Sequence, residues 1–219
     1  PSRPLRPGPD LIHGWMGEFD DSERCAKQAS ELAENSGLAY DMIAADYARG
    51  AMRMFRGELD EAEVALEQAA LLSRDNEVRL FLPLVMCALG NLHVQRGQAA
   101  KARDILLEAK AEAEELGHAT STLVASVYLA SAYSQLGDTP RGVAAVRACQ
   151  AGAKQQGYQG IEALAIFAEA TILSSQGSAL VNEAIGAMKR TIEIAARLEA
   201  CPLLGAARGM LGRLLADSG

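Results

Sequence analysis

Few side chains in this 219-residue sequence have the types and spacing that chemistry requires. The four cysteines, Cys25, Cys87, Cys149 and Cys201, lie far apart and form no Cys-x-x-Cys pair. Reduced thiols therefore fit better than a disulfide framework or a zinc site. His13, His93 and His118 have no ligand-like spacing to one another or to a cysteine, so no metal is expected. The sequence has no GxxxxGK[ST] phosphate loop, no GxGxxG after a strand, no HExxH and no GxSxG. The adjacent carboxylates Asp20/Asp21 and Glu114/Glu115 are the residue type that general acid–base catalysis uses. Both pairs fall on charged helices or at their starts and read as solvated faces. No cofactor and no catalytic residue follows from any of these. What remains is a hydrogen-bonding pattern. Uncharged polar residues stand six positions before three glycines (Asn91, Ser131, Thr171) and two positions before them (Gln95, Gln135, Ser175), with Ser134 and Ser174 alongside.

Those glycines belong to a strict series. Gly17, Gly57, Gly97, Gly137 and Gly177 are each 40 residues apart, and Gly37, Gly117 and Gly157 follow by 20, with Glu77 interrupting the second column. A period in this range marks a stack of supersecondary units rather than one globular core. The unit is two helices of similar length, each closed by a glycine, and Ala88 to Ala109 shows it most clearly. The expected organisation is a proline-rich segment over residues 1–9 and an all-α helical-repeat solenoid of antiparallel helix pairs over residues 10–219, with about eleven helices. A short helix is expected before Gly17, holding Trp15, and the next from Phe19 to Asn35. Asp20, Asp60 and Thr139 (the last before Pro140) are placed to cap second helices, whereas Ala100 leaves its helix uncapped. Small residues recur five positions after the turn (Ser22, Ala62, Ala102, Gly142) and seven before it (Gly50, Gly90, Ala130, Ala170), where helices must touch closely. Leu89, Leu92, Ile105 and Leu106 supply apolar positions between them. After Gly177 two extra residues enter, and the next marker is Gly219. The final helix, from about Pro202, has no second helix after it, so the sequence reads as a piece of a longer array with exposed ends.

Composition narrows the partners. Hydrophobic residues make up 49% and aromatic residues 5%, as closely packed Ala-rich helices require. A formal charge of −7 and a pI near 5.1 argue against nucleic acid or an anionic membrane as the partner. No apolar run is long enough to span a bilayer; Leu80 to Leu89 is short and contains Pro83. With no secretory pattern at the start, a cytoplasmic setting is expected.

The pattern of Leu89, Gly90, Gly97, Ala102 and Ala109 resembles the tetratricopeptide repeat, whose period is ~34 residues. Here each helix is about one turn longer. The long form, with Pro202-Leu203 and Leu211-Gly212 in the last helix, resembles the C-terminal repeats of large bacterial signalling proteins. In those proteins a class III adenylate cyclase domain and a predicted ATPase precede the repeats. Glu77, Glu199 and His93 depart from the pattern. The resemblance implies a right-handed solenoid with the first helix of each pair lining its concave surface. Asn91, Gln95, Ser131, Ser134, Gln135, Thr171, Ser174 and Ser175 would then form polar ladders in one groove, with Phe167 as an apolar anchor. The groove lacks the Lys/Arg cluster with which tetratricopeptide co-chaperones clamp a carboxylate tail. The implied function is a non-catalytic regulatory module that binds a protein, a peptide or another domain of its parent, with self-association through exposed ends. Any cyclase or ATPase activity would lie outside this chain. The alternative is a ligand or signalling-peptide sensor, as in transcription regulators of the maltose-activator kind.

Overall fold

The structure, a computed structural model, describes residues 27–28, 31–33, 35–177 and 180–217. Expectations for Trp15, Gly17, the Asp20 cap, Ser22 and Gly219 lie outside the described residues, as does most of the helix expected from Phe19. The described residues form nine complete helices and no strand. They are α1 (Ala39–Arg56), α2 (Leu59–Asp75), α3 (Leu82–Gln95), α4 (Ala99–Glu115), α5 (Ala119–Gln135), α6 (Thr139–Gln156), α7 (Gln159–Ser174), α8 (Val181–Arg197) and α9 (Cys201–Asp217). Each helix packs on the one before and the one after it, which makes the fold a helical-repeat solenoid.

The turns follow one rule. Gly57, Gly97, Gly137 and Gly177 have φ of 77°, 71°, 86° and 96°, and Gly37, Gly117 and Gly157 are also left-handed. At Gly97 the backbone N–H donates to Val94 O at 3.0 Å, and the N–H of Gln98 donates to His93 O at 2.9 Å. This pair of bonds satisfies the last carbonyls of α3 and reverses the chain within a few residues. Glu77 and Glu199, which interrupt the glycine column, hold φ of 55° and 54° and make the same bonds, Val78 N–H to Ser73 O and Ala200 N–H to Ala195 O. The conformation thus recurs where the residue type does not.

Helix starts differ from expectation. Asp60 lies inside the first turn of α2, and Glu58 occupies the cap position without a side-chain bond. Thr139 likewise lies inside α6, whose cap is Asp138, its carboxylate accepting from the Arg141 N–H at 3.3 Å. The cap is the residue directly after the left-handed glycine, two residues earlier than Asp60 and one earlier than Thr139. Pro83 shortens α3: without an N–H it cannot bond back to residue 79, so regular helix begins at Leu82.

Small residues set the distance between helices. A Cβ added to Gly90 would lie 2.3 Å from Leu106 Cγ, and one added to Gly50 would lie 2.6 Å from Leu66 Cγ. In the third pair the roles reverse, since a Cβ on Gly142 would meet Ala130 O at 2.7 Å. Ala62, Ala102, Ala130 and Ala170 are fully buried. The two extra residues precede α8, which keeps the ordinary length of 17 residues and starts four residues after Gly177, so that Ala184 is buried and Asn182 is exposed. Leu214 is buried on α9, Leu203, Leu204, Met210 and Leu211 are half-buried, and Leu215 is exposed.

Two substitutions separate backbone strain from packing. A Cβ at Gly97 meets nothing within 4 Å, so Gly97→Val should cost about 1–2 kcal/mol through the left-handed backbone alone. Glu77→Gly should act with the opposite sign. Relief of about 1–2 kcal/mol exceeds the extra chain entropy of glycine, about 0.5–1 kcal/mol. Urea unfolding of both variants checks the prediction; destabilisation by Glu77→Gly would contradict it.

Candidate functional site

The first helices of successive pairs, α3, α5 and α7, pack laterally on one another, and no comparable packing joins α2 to α4 or α4 to α6. The layer whose helices touch directly follows the shorter arc, so the α1–α3–α5–α7 layer is the inner one. Side-chain bonds also cross it: Gln135 Nε2 donates to Val94 O at 3.0 Å, and the Cys87 thiol donates to Ser121 O at 3.6 Å.

Half-exposed positions run up each inner helix at helical spacing. They are Ala44, Tyr47, Ala51 and Met54 on α1, and Leu84, Ala88, Asn91 and Val94 on α3. Val124, Tyr128, Ser131 and Ser134 follow on α5, and Leu164, Phe167 and Ser174 on α7, where Thr171 in the same row is exposed. Gln95, Gln135 and Ser175 lie exposed at the helix ends. The result is a strip with an apolar side near the helix starts and a polar, uncharged side near their ends. None of its residues is charged, and neither α3 nor α5 contains Asp, Glu, Lys or Arg.

The structure therefore brings the ladder residues onto one layer but gives them different states. Thr171 Oγ1 donates to Phe167 O, Ser174 Oγ to Thr171 O and Ser175 Oγ to Ile172 O, at 2.9, 2.8 and 2.7 Å. Phe167 is half-buried and packs against the core cluster that contains Ile166, Leu173 and Met188. Gln135 bridges to α3. Tyr47 and Tyr128 were absent from the sequence reading, although Tyr47 and Cys87 occupy equivalent positions in successive repeats. The signal was their register, ten residues before Gly57 for Tyr47 and nine before Gly137 for Tyr128. Burial, with Cys87 nearby, pushes the Tyr47 phenol up to about 12. Burial, then Tyr47 and Cys87, raises that of Tyr128. Burial pushes the Cys87 thiol up to about 12, so it is a poor nucleophile.

Ion pairs lie off the strip, chiefly against the outer helices. Glu63 on α2 pairs with Arg96 and with Lys101 (3.2 Å), and Arg96 also reaches Asp60. Arg79 pairs with Glu112 and Glu115, Arg74 with Glu108, and Arg147 with Glu169 and Glu183. The expected carboxylate pair Glu114/Glu115 is exposed and ion-paired, Glu114 with Lys110 at 3.8 Å. Glu169 is buried and held also by Gln150. His93, only 1% exposed, contacts Gln98 Oε1 through Nδ1 at 2.7 Å and faces Glu63 through Nε2 at 3.5 Å. The described residues contain no cluster of three or more potential metal ligands, and no described helix is long and apolar enough to cross a membrane.

Comparison with known proteins gives no matching protein-family model and no matching curated protein. At the start of α5 Ser121 Oγ meets His118 Nδ1 at 3.1 Å, a hydroxyl–imidazole contact outside the strip, and among the described residues the strip itself carries no such pair. Its chemistry is hydrogen bonding and apolar contact along a neutral face.

The hub around Glu63 makes stability depend on pH. Burial lowers the His93 pKa, and Lys101 and Arg96 add to this against the opposing pull of Gln98 and Glu63. Burial raises the Glu63 carboxyl, but hydrogen bonds and charge from Arg96 and Lys101 outweigh it and hold it low. Both folded values are depressed, so both contributions are present above the unfolded pKa values and are lost as pH falls through the folded ones. For His93 the loss begins below about 6.5. Stability should therefore fall from pH 7 to 5, and His93→Phe should flatten that part of the profile. An unchanged slope in thermal unfolding would refute the assignment.

Proposed function

We propose that this chain is a non-catalytic protein-binding module, a tetratricopeptide-like solenoid that docks a partner protein along its neutral inner strip. One observation carries the reading. The strip crosses four helices without a charged residue, while ion pairs populate the outer helices. A polar surface without charge binds through hydrogen bonds and shape, and it penalises partners that would bury an unpaired charge. The 40-residue helix pair, the left-handed turns and the small-residue columns support the tetratricopeptide resemblance. In this reading the module serves a larger bacterial signalling protein of the cyclase- or ATPase-linked kind. Nucleotide chemistry resides in other parts of that protein, the setting is cytoplasmic, and the partner is another protein or another domain of the parent.

Single hydrogen bonds contribute only about 0.5–1.5 kcal/mol net, so the test is collective. Asn91, Gln95, Ser131 and Gln135 are changed together to Ala, and helical content is checked by circular dichroism. Proteins captured by the wild type are compared with those captured by this variant and by a control altered at exposed Glu67 and Glu108 on the outer helices. The expected result is a set of partners lost only from the strip variant. Equal capture by all three would move the binding face away from the strip.

A further inference from the structure

The helix pairs are not joined alike. α1 and α2 pack on each other more than any other two helices, with Leu66 pressed over Gly50. Their hold on the rest of the stack is the loosest. α2 packs on α3 less than any other two consecutive helices pack, and α1 touches α3 far less than α3 touches α5 or α5 touches α7. At the linker the Tyr40 ring stands edge-on to Phe81, with centroids 4.9 Å apart.

This weakly packed junction carries the most ion pairs. At the edge near the Gly57 and Gly97 turns, Arg96 pairs with Asp60 and Glu63, and Lys101 pairs with Glu63. At the opposite edge Arg74 on α2 reaches Glu108 on α4 at 3.2 Å. Arg79, in the linker, reaches Glu112 and Glu115 at 2.8 and 3.1 Å. Among the described residues no ion pair crosses from α3–α4 to α5–α6, and the junction after that is crossed only by the pairs of Arg147. The two edges also differ in shelter. The Glu63 and Arg96 side chains are each 19% exposed, so dissolved salt screens them little. Arg74, Glu108, Arg79 and Glu115 stand open to solvent, where screening is strong.

We propose that the junction of α2 and α3 is an ionic clasp that lets α1–α2 tilt as one body. With both edges paired, the α1–α2 unit sits on the stack. When competing ions screen the pairs of Arg74 and Arg79, the unit tilts away about the sheltered Glu63–Arg96 edge, and the six residues between Asp75 and Leu82 supply the slack. Tyr47 and Met54 on α1 then part from Leu84 and Ala88 on α3, so the inner strip loses its first helix. The clasp sets the length of the strip, whatever binds there.

The test uses the full chain with its four cysteines replaced by Ser, which keeps a donor for the Ser121 and Leu123 carbonyls that Cys87 and Cys149 meet. Spin labels at the exposed positions Glu67 and Leu107 report the separation of α2 and α4; labels at Leu107 and Ala148 report that of α4 and α6 across the next junction. Distances are measured by double electron–electron resonance from about 0.1 to about 1 M KCl, over which the screening length falls from about 10 to about 3 Å. A longer component should grow with salt in the first label pair and not in the second. Arg74→Gln with Arg79→Gln should raise that component at least about fivefold at low salt and remove most of its salt dependence. Arg74→Glu alone should also raise it, and adding Glu108→Arg should return it to near the wild-type share. Lys110→Gln, which breaks a pair within α4, should leave it unchanged. Circular dichroism checks helical content in each variant, and the salt series on the wild-type pairs decides even where a variant fails to fold. A first distance that ignores salt, a charge reversal that is not rescued, or equal change across both junctions would overturn the clasp.

Discussion

The structure depends on how closely two helices can approach at one point in each pair. Leu106 lies over Gly90 and Leu66 over Gly50, at distances that leave no space for a single methyl group. In the next pair the glycine has moved to the other helix, as Gly142 against the backbone of Ala130. The contact is kept while its donor and recipient change sides. Everything further out is set by it, because the tilt of one pair determines where the next can stack.

Charge segregation follows from the same geometry. Inner helices touch each other, so their flanks are filled by Ala, Leu, Val and Cys and leave little room for hydrated groups. Outer helices do not pack on one another in the same way and are joined by long side chains, as from Arg74 to Glu108 and from Arg147 to Glu183. Such exposed pairs are individually weak and sensitive to salt. The neutral strip is therefore held by strong packing on its own side and by adjustable links on the far side.

Much of this was legible in the sequence, because a 40-residue period repeats a local constraint until it stands out. The left-handed turns and the small columns were readable for that reason. Glu77 and Glu199 were not readable as left-handed, since residue type is only a proxy for backbone conformation and the two turn bonds enforce it on a glutamate. The caps were misplaced because Asp and Thr both suit a helix start, and only the length of the turn decides which position they fill. The ladders were visible as columns. Which hydroxyls were already satisfied was invisible, because a serine that bonds its own helix and one that faces outward look alike in sequence. Tyr47 and Tyr128 lay in the apolar part of the pattern, where an aromatic reads as core.

The shortened start of α3 has a further consequence. Between Asp75 and Leu82 six residues carry the chain from one pair to the next, as many as between Ser174 and Val181 and more than the two or three of the other junctions, and α2 packs on α3 less than any other two consecutive helices pack. In a stack whose members hold only their neighbours, cooperativity is no stronger than its poorest joint. Hydrogen exchange would then show two blocks opening separately, divided at this bend. A chain pulled from its ends would yield there first, exposing the underside of Tyr47 and Cys87 before any other part of the inner layer.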